Sequence, residues 1–214
     1  PGKGALNIGT NTSCRRGDGT PAPGYLAKTG AAPAPGIVVI QEWWGLQDQI
    51  RGICDRLALA GYEALATDLY AGTVVPYHDH DAALHEMKSL NFLDATGQVV
   101  RGAVQYLGKT GVKVGLTGFC MGGAVTVLGA VRIPEVAAAV AFYGLPPEGA
   151  VKPQDVKIPL QGHYANKDDY SMVQHVASFE AGLKAEKANF EFLHYDADHA
   201  CKNEQRDVNE QVAA

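Results

Sequence analysis

The chain has 214 residues, of which 46% are hydrophobic, so it can bury one sizeable core and is too short to need two. Its net charge of −5 and pI of about 5.8 argue against a nucleic-acid-binding surface. No apolar run approaches the roughly 18 residues of a membrane span, and residues 1–5 lack the charged and apolar pattern of a leader.

The four cysteines form no Cys-x-x-Cys pair, which favours a reducing compartment over a disulfide framework or a thiolate metal site. We therefore expect a single cytoplasmic domain over residues 1–214, a monomer or weak homodimer. We expect it to bind a small molecule, without nucleic acid, membrane, metal or cofactor.

The hydrophobic pattern alternates between strands and helices along the chain. Residues 1–35 are rich in Gly, Pro, Thr and Asn and predict an edge hairpin. Apolar and alternating runs predict strands at residues 36–41, 62–70, 113–119, 136–143, 158–164 and 189–195. Helical spacing predicts helices at residues 47–60, 82–90, 99–107, 121–131 and 169–187. This alternation is typical of an α/β fold with a mostly parallel central sheet, helices on both faces and no large lid domain.

A polar cluster, His78-Asp79-His80-Asp81, consists of residue types that bind metals. Side chains adjacent in sequence do not share a helix face, so they are poorly placed to hold one ion. We interpret the cluster as a solvated loop that caps the following helix.

The predicted strand at 113–119 leads into Gly118-Phe119-Cys120-Met121-Gly122, which has the Gly-x-nucleophile-x-Gly form of a nucleophile elbow, with Cys where Ser is common. Glycine permits a turn so sharp that side chains there would collide with neighbouring strands. At a helix start, unpaired N–H groups and the helix dipole favour the thiolate, which is the attacking species. Two other interpretations stay open for this stretch alone: Cys120 as a small core residue, or the glycines as a loop for a dinucleotide pyrophosphate.

Polar side chains follow the carboxyl ends of several predicted strands, where a parallel sheet collects its functional groups. In chain order these are Glu42, Cys120, Asp168 and His199. The order nucleophile, acid, histidine is the one used by hydrolases built on such a sheet. His199 is placed as a general base, and Asp168 would orient its imidazole. The alternative for His199 is a surface histidine beside two aspartates.

Two choices among similar residues depend on their position. Asp168 is favoured over Asp169 because it ends the 165–168 turn, whereas Asp169 is well placed to cap the next helix. His194 and His163 are weaker candidates than His199 because they belong to predicted strands.

A family resemblance is carried by segments spread over most of the chain. They are Gln41-Glu42-Trp43-Trp44-Gly45-Leu46, Thr67-Asp68-Leu69-Tyr70, Gly118-Phe119-Cys120-Met121-Gly122-Gly123, Ala165-Asn166-Lys167-Asp168 and His199. From about residue 20 onward the chain resembles the dienelactone hydrolase (carboxymethylenebutenolidase) family, a branch of the α/β-hydrolases with a Cys nucleophile. The resemblance implies a single-domain α/β-hydrolase fold.

The resemblance also implies roles for particular residues. Cys120, Asp168 and His199 would form a catalytic triad, and Glu42 would contact the resting thiol. The backbone N–H groups of Trp43 and Met121 would form an oxyanion hole. The same geometry is expected on physical grounds, since one donor follows the nucleophile and the other comes from a loop after an early strand.

The substrate-binding residues depart from the family pattern. Substrate contacts are expected from Trp44, Tyr70, Gly72, Tyr143, Lys202 and Asn203. Members that act on dienelactone are expected to hold its carboxylate with Arg at two places, where this chain has Gly72 and Asn203. Without a guanidinium at those two places, bidentate recognition of a carboxylate is lost there unless Lys202 or Arg206 substitutes. Asp198 replaces the Gly that usually precedes the histidine, which adds negative charge. We expect a preference for less charged substrates.

The sequence therefore predicts a cysteine hydrolase of lactones or small activated esters that works through a covalent acyl-enzyme. One alternative is a promiscuous aryl-ester or phosphotriester hydrolase with the same triad, and another is a non-catalytic small-molecule-binding relative. A dinucleotide-binding oxidoreductase needs a Gly-rich turn after an early strand, and Glu42-Trp43-Trp44 occupies that place.

Overall fold

The computed structural model describes residues 8–30, 33–200 and 203, which form one eight-stranded sheet with helices on both faces. The strands are β1 Thr10–Arg15, β2 Pro21–Ala27, β3 Gly36–Ile40, β4 Glu63–Thr67, β5 Val114–Phe119, β6 Val136–Phe142, β7 Leu160–Ala165 and β8 Phe190–Tyr195. The helices are α1 Asp48–Leu59, α2 His80–Ser89, α3 Phe92–Asp94, α4 Arg101–Leu107, α5 Met121–Arg132 and α6 Tyr170–Ala185. None of these helices is long and apolar enough to cross a bilayer.

The strand order is β1-β2-β4-β3-β5-β6-β7-β8. β1 and β2 form an antiparallel hairpin, and β2 joins the sheet by antiparallel pairing with β4. The pairs from β4 through β8 are all parallel. The structure thus confirms the predicted edge hairpin and the mostly parallel sheet. Parallel pairing follows from the alternation of strands and helices, because each helical connection returns the chain to the same end of the sheet.

The core consists of one apolar layer on each face of the sheet. On one face α4, α5 and α6 pack against the strands, with Val104 and Leu183 buried among them. On the other face α1 places Ile50 and Cys54 against Val39. Each fully buried aliphatic side chain contributes about 1.5–3 kcal/mol. These two layers hold the strands in place. Because the strands from β3 to β8 are parallel, the loops after β3, β5, β6, β7 and β8 all lie at the same end of the sheet, beyond the carboxyl ends of the strands.

The strand predicted at 62–70 is shorter than expected and ends at Thr67. The Asp68 carboxylate accepts hydrogen bonds from the N–H groups of Tyr70 at 3.0 Å and Gly72 at 2.8 Å. An aspartate that bonds its own following backbone turns the chain out of the strand.

The predicted start of the helix at 99–107 was wrong. Helical structure begins at Phe92, where the Asn91 side chain caps the first turn, and it passes through a π-helical segment at Ala95–Val100 before α4. A π turn shifts the helical period by one residue, and the pair Thr96-Gly97 interrupts the apolar spacing, so the pattern concealed this part.

The His78–Asp81 cluster caps a helix, as predicted. The Asp79 side chain accepts a hydrogen bond from the N–H of Ala82 at 3.0 Å, and α2 begins at His80. Within the described ranges, no group of three or more His, Cys, Asp or Glu side chains is arranged to hold a metal ion.

Candidate active site

Cys120 lies in the turn between β5 and α5 with φ 54° and ψ −117°, a conformation that residues with side chains rarely adopt. Its N–H donates to the carbonyl of Phe142 at 3.0 Å, which ties the turn to β6. A Cβ on Gly118 would lie 2.2 Å from the carbonyl oxygen of Gly122, and one on Gly122 would lie 2.3 Å from that of Ile40. Backbones therefore meet directly around Cys120, which is why this turn requires glycine.

His199, in the turn after β8, brings its imidazole to the sulfur of Cys120. Nε2 lies 3.3 Å from Sγ, and Nδ1 lies 2.6 Å from Oδ2 of Asp168. The Tyr143 ring packs edge-on against the imidazole, with ring centroids 5.3 Å apart. The structure thus brings a thiol, an imidazole and a carboxylate into contact one after another, beyond the carboxyl ends of the parallel strands.

The charge of His199 follows from these contacts. Burial disfavours the imidazolium, but the hydrogen bonds to Asp168 and Cys120 outweigh it and raise the pKa of His199 from 6.5 to about 10. The imidazole therefore carries a second proton at neutral pH, with one N–H directed at the carboxylate and the other at the sulfur.

The two adjacent aspartates have different surroundings. Asp168 bonds His199, and its turn is held to the end of β8 by the N–H of Asn166, which donates to the carbonyl of Tyr195 at 2.8 Å. The Asp169 carboxylate accepts from the N–H of Ser171 at 2.9 Å and caps α6. The hydrogen bonds from Ser171 lower the pKa of Asp169.

The Glu42 carboxylate is buried, with 3% of the residue exposed, and neutral groups bond both of its oxygens. The Tyr143 hydroxyl donates to Oε1 at 2.8 Å, and Nδ2 of Asn203 donates to Oε2 at 2.6 Å. Burial and the negative charge of Glu42 raise the pKa of nearby Tyr77. Glu42 thus links the loops after β3, β6 and β8, which the sequence did not predict.

The two backbone N–H groups predicted as oxyanion donors belong to Met121, directly after Cys120, and to Trp43, directly after Glu42. Met121 is the first residue of α5, where an N–H has no acceptor within the helix. Trp43 directly follows Glu42 and is half-buried. In the described part of the chain, neither backbone N–H is found donating to another backbone group.

Two residues predicted to contact substrate are placed differently. Tyr143 and Asn203 are each only 1% exposed, and their polar side-chain atoms bond Glu42. Both side chains support the Glu42 carboxylate in this structure, and their contact with substrate stays a prediction. Lys202, predicted at the same place, lies outside the described residues.

The other residues predicted to contact substrate lie in the loops that follow β3 and β4. Tyr70 is 8% exposed and donates its hydroxyl to Sδ of Met121 at 3.3 Å. Trp44 is buried with its ring centroid 5.0 Å from that of Trp43. Gly72 lies in the exposed loop after β4 with φ 103°, and its N–H is bonded to Asp68.

His80 and Tyr77, which were not predicted from the sequence as site residues, pack against the two tryptophans that follow Glu42. The His80 ring lies 5.9 Å from the ring of Trp43 and 5.3 Å from that of Trp44. Tyr77 packs against Trp44 at 5.4 Å. Tyr77 lies just before α2 and His80 is its first residue, in or next to the segment interpreted as a solvated loop. The spacing of three residues between the two rings was the only sequence signal that they face the same way.

The two weaker histidine candidates belong to strands, as predicted. His194 in β8 lies 2.8 Å from Oε2 of Glu180 on α6. His163 in β7 lies 2.7 Å from the hydroxyl of Tyr195. Both imidazoles therefore have partners within the sheet layers.

Comparisons with known proteins agree with this fold and these motifs. The model of the Dienelactone hydrolase family matches residues 22–214. Protein usf of Aquifex pyrophilus is 34% identical over 161 residues, which cover 72% of this chain and 69% of the relative. A candidate carboxymethylenebutenolidase of Escherichia coli (strain K12) is 32% identical over 215 residues, covering 92% of this chain and 78% of the relative.

Solved structures have the same architecture. A candidate dienelactone hydrolase from Klebsiella pneumoniae subsp. pneumoniae MGH 78578 gives a TM-score of 0.78 at 31% identity, covering 90% of this chain and 87% of that one. A dienelactone hydrolase-like promiscuous phosphotriesterase from metagenomic libraries shares the fold with a TM-score of 0.74 at 23% identity, covering 92% and 85%. Since the family model spans residues 22–214 and relatives above 30% identity cover most of the chain, the chain belongs to the dienelactone hydrolase family of the α/β-hydrolases.

Proposed function

We propose that this protein hydrolyses lactones or small activated esters, with Cys120 as the nucleophile, His199 as the proton carrier and Asp168 as the carboxylate that orients His199. The observation that carries this proposal is the series of contacts from sulfur to imidazole to carboxylate, at 3.3 and 2.6 Å. Its location beyond the carboxyl ends of parallel strands is where such a sheet presents catalytic groups.

In the first step the thiolate of Cys120 attacks the carbonyl carbon, and the carbonyl electron pair moves onto oxygen. The N–H groups of Met121 and Trp43 stabilise that oxyanion, and the dipole of α5 adds to the field. When the tetrahedral intermediate collapses, the C–O bond breaks and the leaving alkoxide takes the Nε2 proton of His199. In a lactone this alcohol stays attached to the acyl group.

In the second step His199, now neutral, accepts a proton from water as the water oxygen attacks the thioester carbon. The C–S bond breaks, the acid is released, and the thiolate and imidazolium are restored. Asp168 keeps its charge throughout and holds the imidazole in one orientation.

We further propose that the substrate is neutral or weakly charged. Gly72 has no side chain to offer to a carboxylate, and the amide of Asn203 is already bonded to Glu42. Glu42 and Asp198 add negative charge near the site. An anionic substrate would meet like charges without a paired guanidinium at these places.

A cytoplasmic location is part of the proposal. Cys14 and Cys54 are both buried free thiols, which agrees with a reducing compartment. The chain is proposed to act as a monomer or weak homodimer, which size-exclusion chromatography with light scattering tests directly.

The test is hydrolysis of p-nitrophenyl acetate and a neutral lactone by the wild-type protein and by Cys120→Ala. We expect Cys120→Ala to lower kcat by at least about 10³-fold with an unchanged melting temperature. Mass spectrometry after iodoacetamide treatment should find the adduct on Cys120, while buried Cys14 and Cys54 stay unlabelled in the folded protein. An adduct on Cys201 that abolishes activity would overturn the assignment.

The same assay separates the alternatives. A phosphotriester in the substrate panel tests the promiscuous activity named for the metagenomic structure of the same fold. Faster turnover of the phosphotriester than of any ester would favour that function. Absence of product from every ester, lactone and phosphotriester would favour the non-catalytic binding protein.

A further inference from the structure

Glu42 connects several loops along the edge of the sheet that carries the proposed site. It follows β3, its partner Tyr143 follows β6, and its partner Asn203 follows β8 and His199 in the chain. The backbone N–H of Asn203 donates to the carbonyl of Ala200 at 2.9 Å, so Asn203 belongs to the same turn as His199. Its contact with Glu42 therefore ties that turn to the loop that contains Trp43.

A buried carboxylate is stable only while its oxygens accept hydrogen bonds. At Glu42 the donors Tyr143 and Asn203 are themselves buried, each 1% exposed, so water reaches these contacts poorly. Removing the Asn203 amide would leave Oε2 without that donor. The carboxylate would then shift towards another donor, and Trp43, the next residue in the chain, would shift with it.

We propose that Asn203 is a positioning residue: its side-chain amide holds Glu42 and thereby sets the backbone N–H of Trp43 against the oxyanion. This inference rests on the ester hydrolysis proposed above. A donor aimed at a developing charge acts mainly in the transition state, and small displacements of it are costly. Loss of the amide should therefore lower kcat and leave KM nearly unchanged.

Asn203→Asp tests the contact, because it keeps the size of the side chain and replaces the donor by a second carboxylate. Towards high pH the pair gives up its last proton and the two carboxylates repel, whereas at lower pH one shared proton restores an O–H···O bond between them. The titratable side chains of Tyr77 and Tyr143 face the pair, and burial and the charge of Glu42 raise the pKa of Tyr77. We expect kcat relative to wild type to be about tenfold lower at the higher pH and within about twofold at the lower pH.

Asn189→Asp is the matched control, since Asn189 is exposed beside β8 and the change in net charge is the same. Its kcat ratio to wild type should stay near one at both pH values. Asn203→Ala should show the loss of kcat at both pH values, because alanine has no proton to share. A kcat ratio for Asn203→Asp that does not change with pH, or a defect confined to KM, would overturn the inference.

Melting temperatures separate this inference from the proposed function. The melting temperature of Asn203→Asp relative to Asn189→Asp should rise as the pH falls, whether or not the protein hydrolyses esters. A wild-type protein without activity would count against the proposed function alone. A melting temperature that recovers at low pH while kcat does not would show that the contact is structural, and would refute the positioning role.

Discussion

At the scale of single residues, His199 determines how the proposed reaction depends on pH. Its pKa of about 10 lets the imidazolium donate a proton to the leaving group throughout the neutral range. We expect kcat/KM for a neutral ester to hold up to about pH 10 and to fall above it, as the imidazolium loses its proton. Asp168→Asn weakens the hydrogen bond that favours the imidazolium, so the fall of kcat/KM at alkaline pH, the alkaline limb of the profile, should move to lower pH. The same substitution should lower kcat by about 10²- to 10⁴-fold. Profiles of rate against pH measure both effects.

Asp169→Asn is the control for this prediction, because the same change is made one residue away on a side chain that caps α6. The alkaline limb should stay in place, and the melting temperature should fall slightly as the cap weakens. If the limb moves in Asp169→Asn and stays in Asp168→Asn, the choice between the two aspartates is wrong.

At the scale of elements, the turn from β5 into α5 depends on close backbone contact with β3. A Cβ on Gly122 would lie 2.3 Å from the carbonyl oxygen of Ile40 and 2.4 Å from that of Gln41, so Gly122→Ala must displace backbone. We expect it to lower the free energy of unfolding by about 1–3 kcal/mol, measured by chemical denaturation. Alkylation of Cys120 by iodoacetamide should change as well, because the sulfur is carried by the same turn.

Gly52→Ala in α1 is the matched control, since a Cβ there would meet its nearest atom, on the flexible side chain of Arg56, at 3.8 Å. Alanine in an open helical position should stabilise the protein by about 0.5–1 kcal/mol. Equal effects of the two substitutions would contradict the argument from backbone contact.

At the scale of the whole molecule, the distribution of charge predicts the class of substrate. The chain has a net charge of −5, and Gly72 and Asn203 stand where a carboxylate-binding Arg is expected. A charge-assisted hydrogen bond is worth about 1.5–3 kcal/mol, which corresponds to roughly one to two orders of magnitude in rate. We expect kcat/KM for dienelactone to be lower than for a neutral aryl ester of similar size by about that factor. Equal or faster turnover of dienelactone would show that another cation binds the carboxylate.

Arg101 is a poor source of that cation. Its guanidinium bonds the Glu135 carboxylate at 2.9 Å, on a different part of the surface. If dienelactone proves a good substrate, raising the salt concentration should slow it more than the neutral ester, because screening weakens attraction between charges.

The sequence by itself determined the features that depend on neighbouring residues or on the period of the pattern. The strand and helix alternation, the edge hairpin, the Asp79 cap and the glycines around Cys120 all follow from short-range chemistry, and the structure confirms them. The family was also readable from its segments, and the family model confirms it. Local pattern failed at the π-helical segment, where an altered period and the pair Thr96-Gly97 concealed the start of a helix. The catalytic roles of Cys120, Asp168 and His199 stay predictions, which the contacts of His199 with the other two side chains support.

Only the tertiary structure decided which side chains meet at the carboxyl edge of the sheet. Glu42 is separated by 101 positions from Tyr143 and by 161 positions from Asn203, and no periodicity or spacing connects residues so far apart. The sequence therefore assigned Tyr143 and Asn203 to substrate, whereas the sheet order brings both to a buried carboxylate. The charge of His199 was decided in the same way, because burial and two hydrogen-bond partners from distant strands set its pKa. Such contacts depend on how strands are ordered in space, which short-range sequence chemistry does not encode.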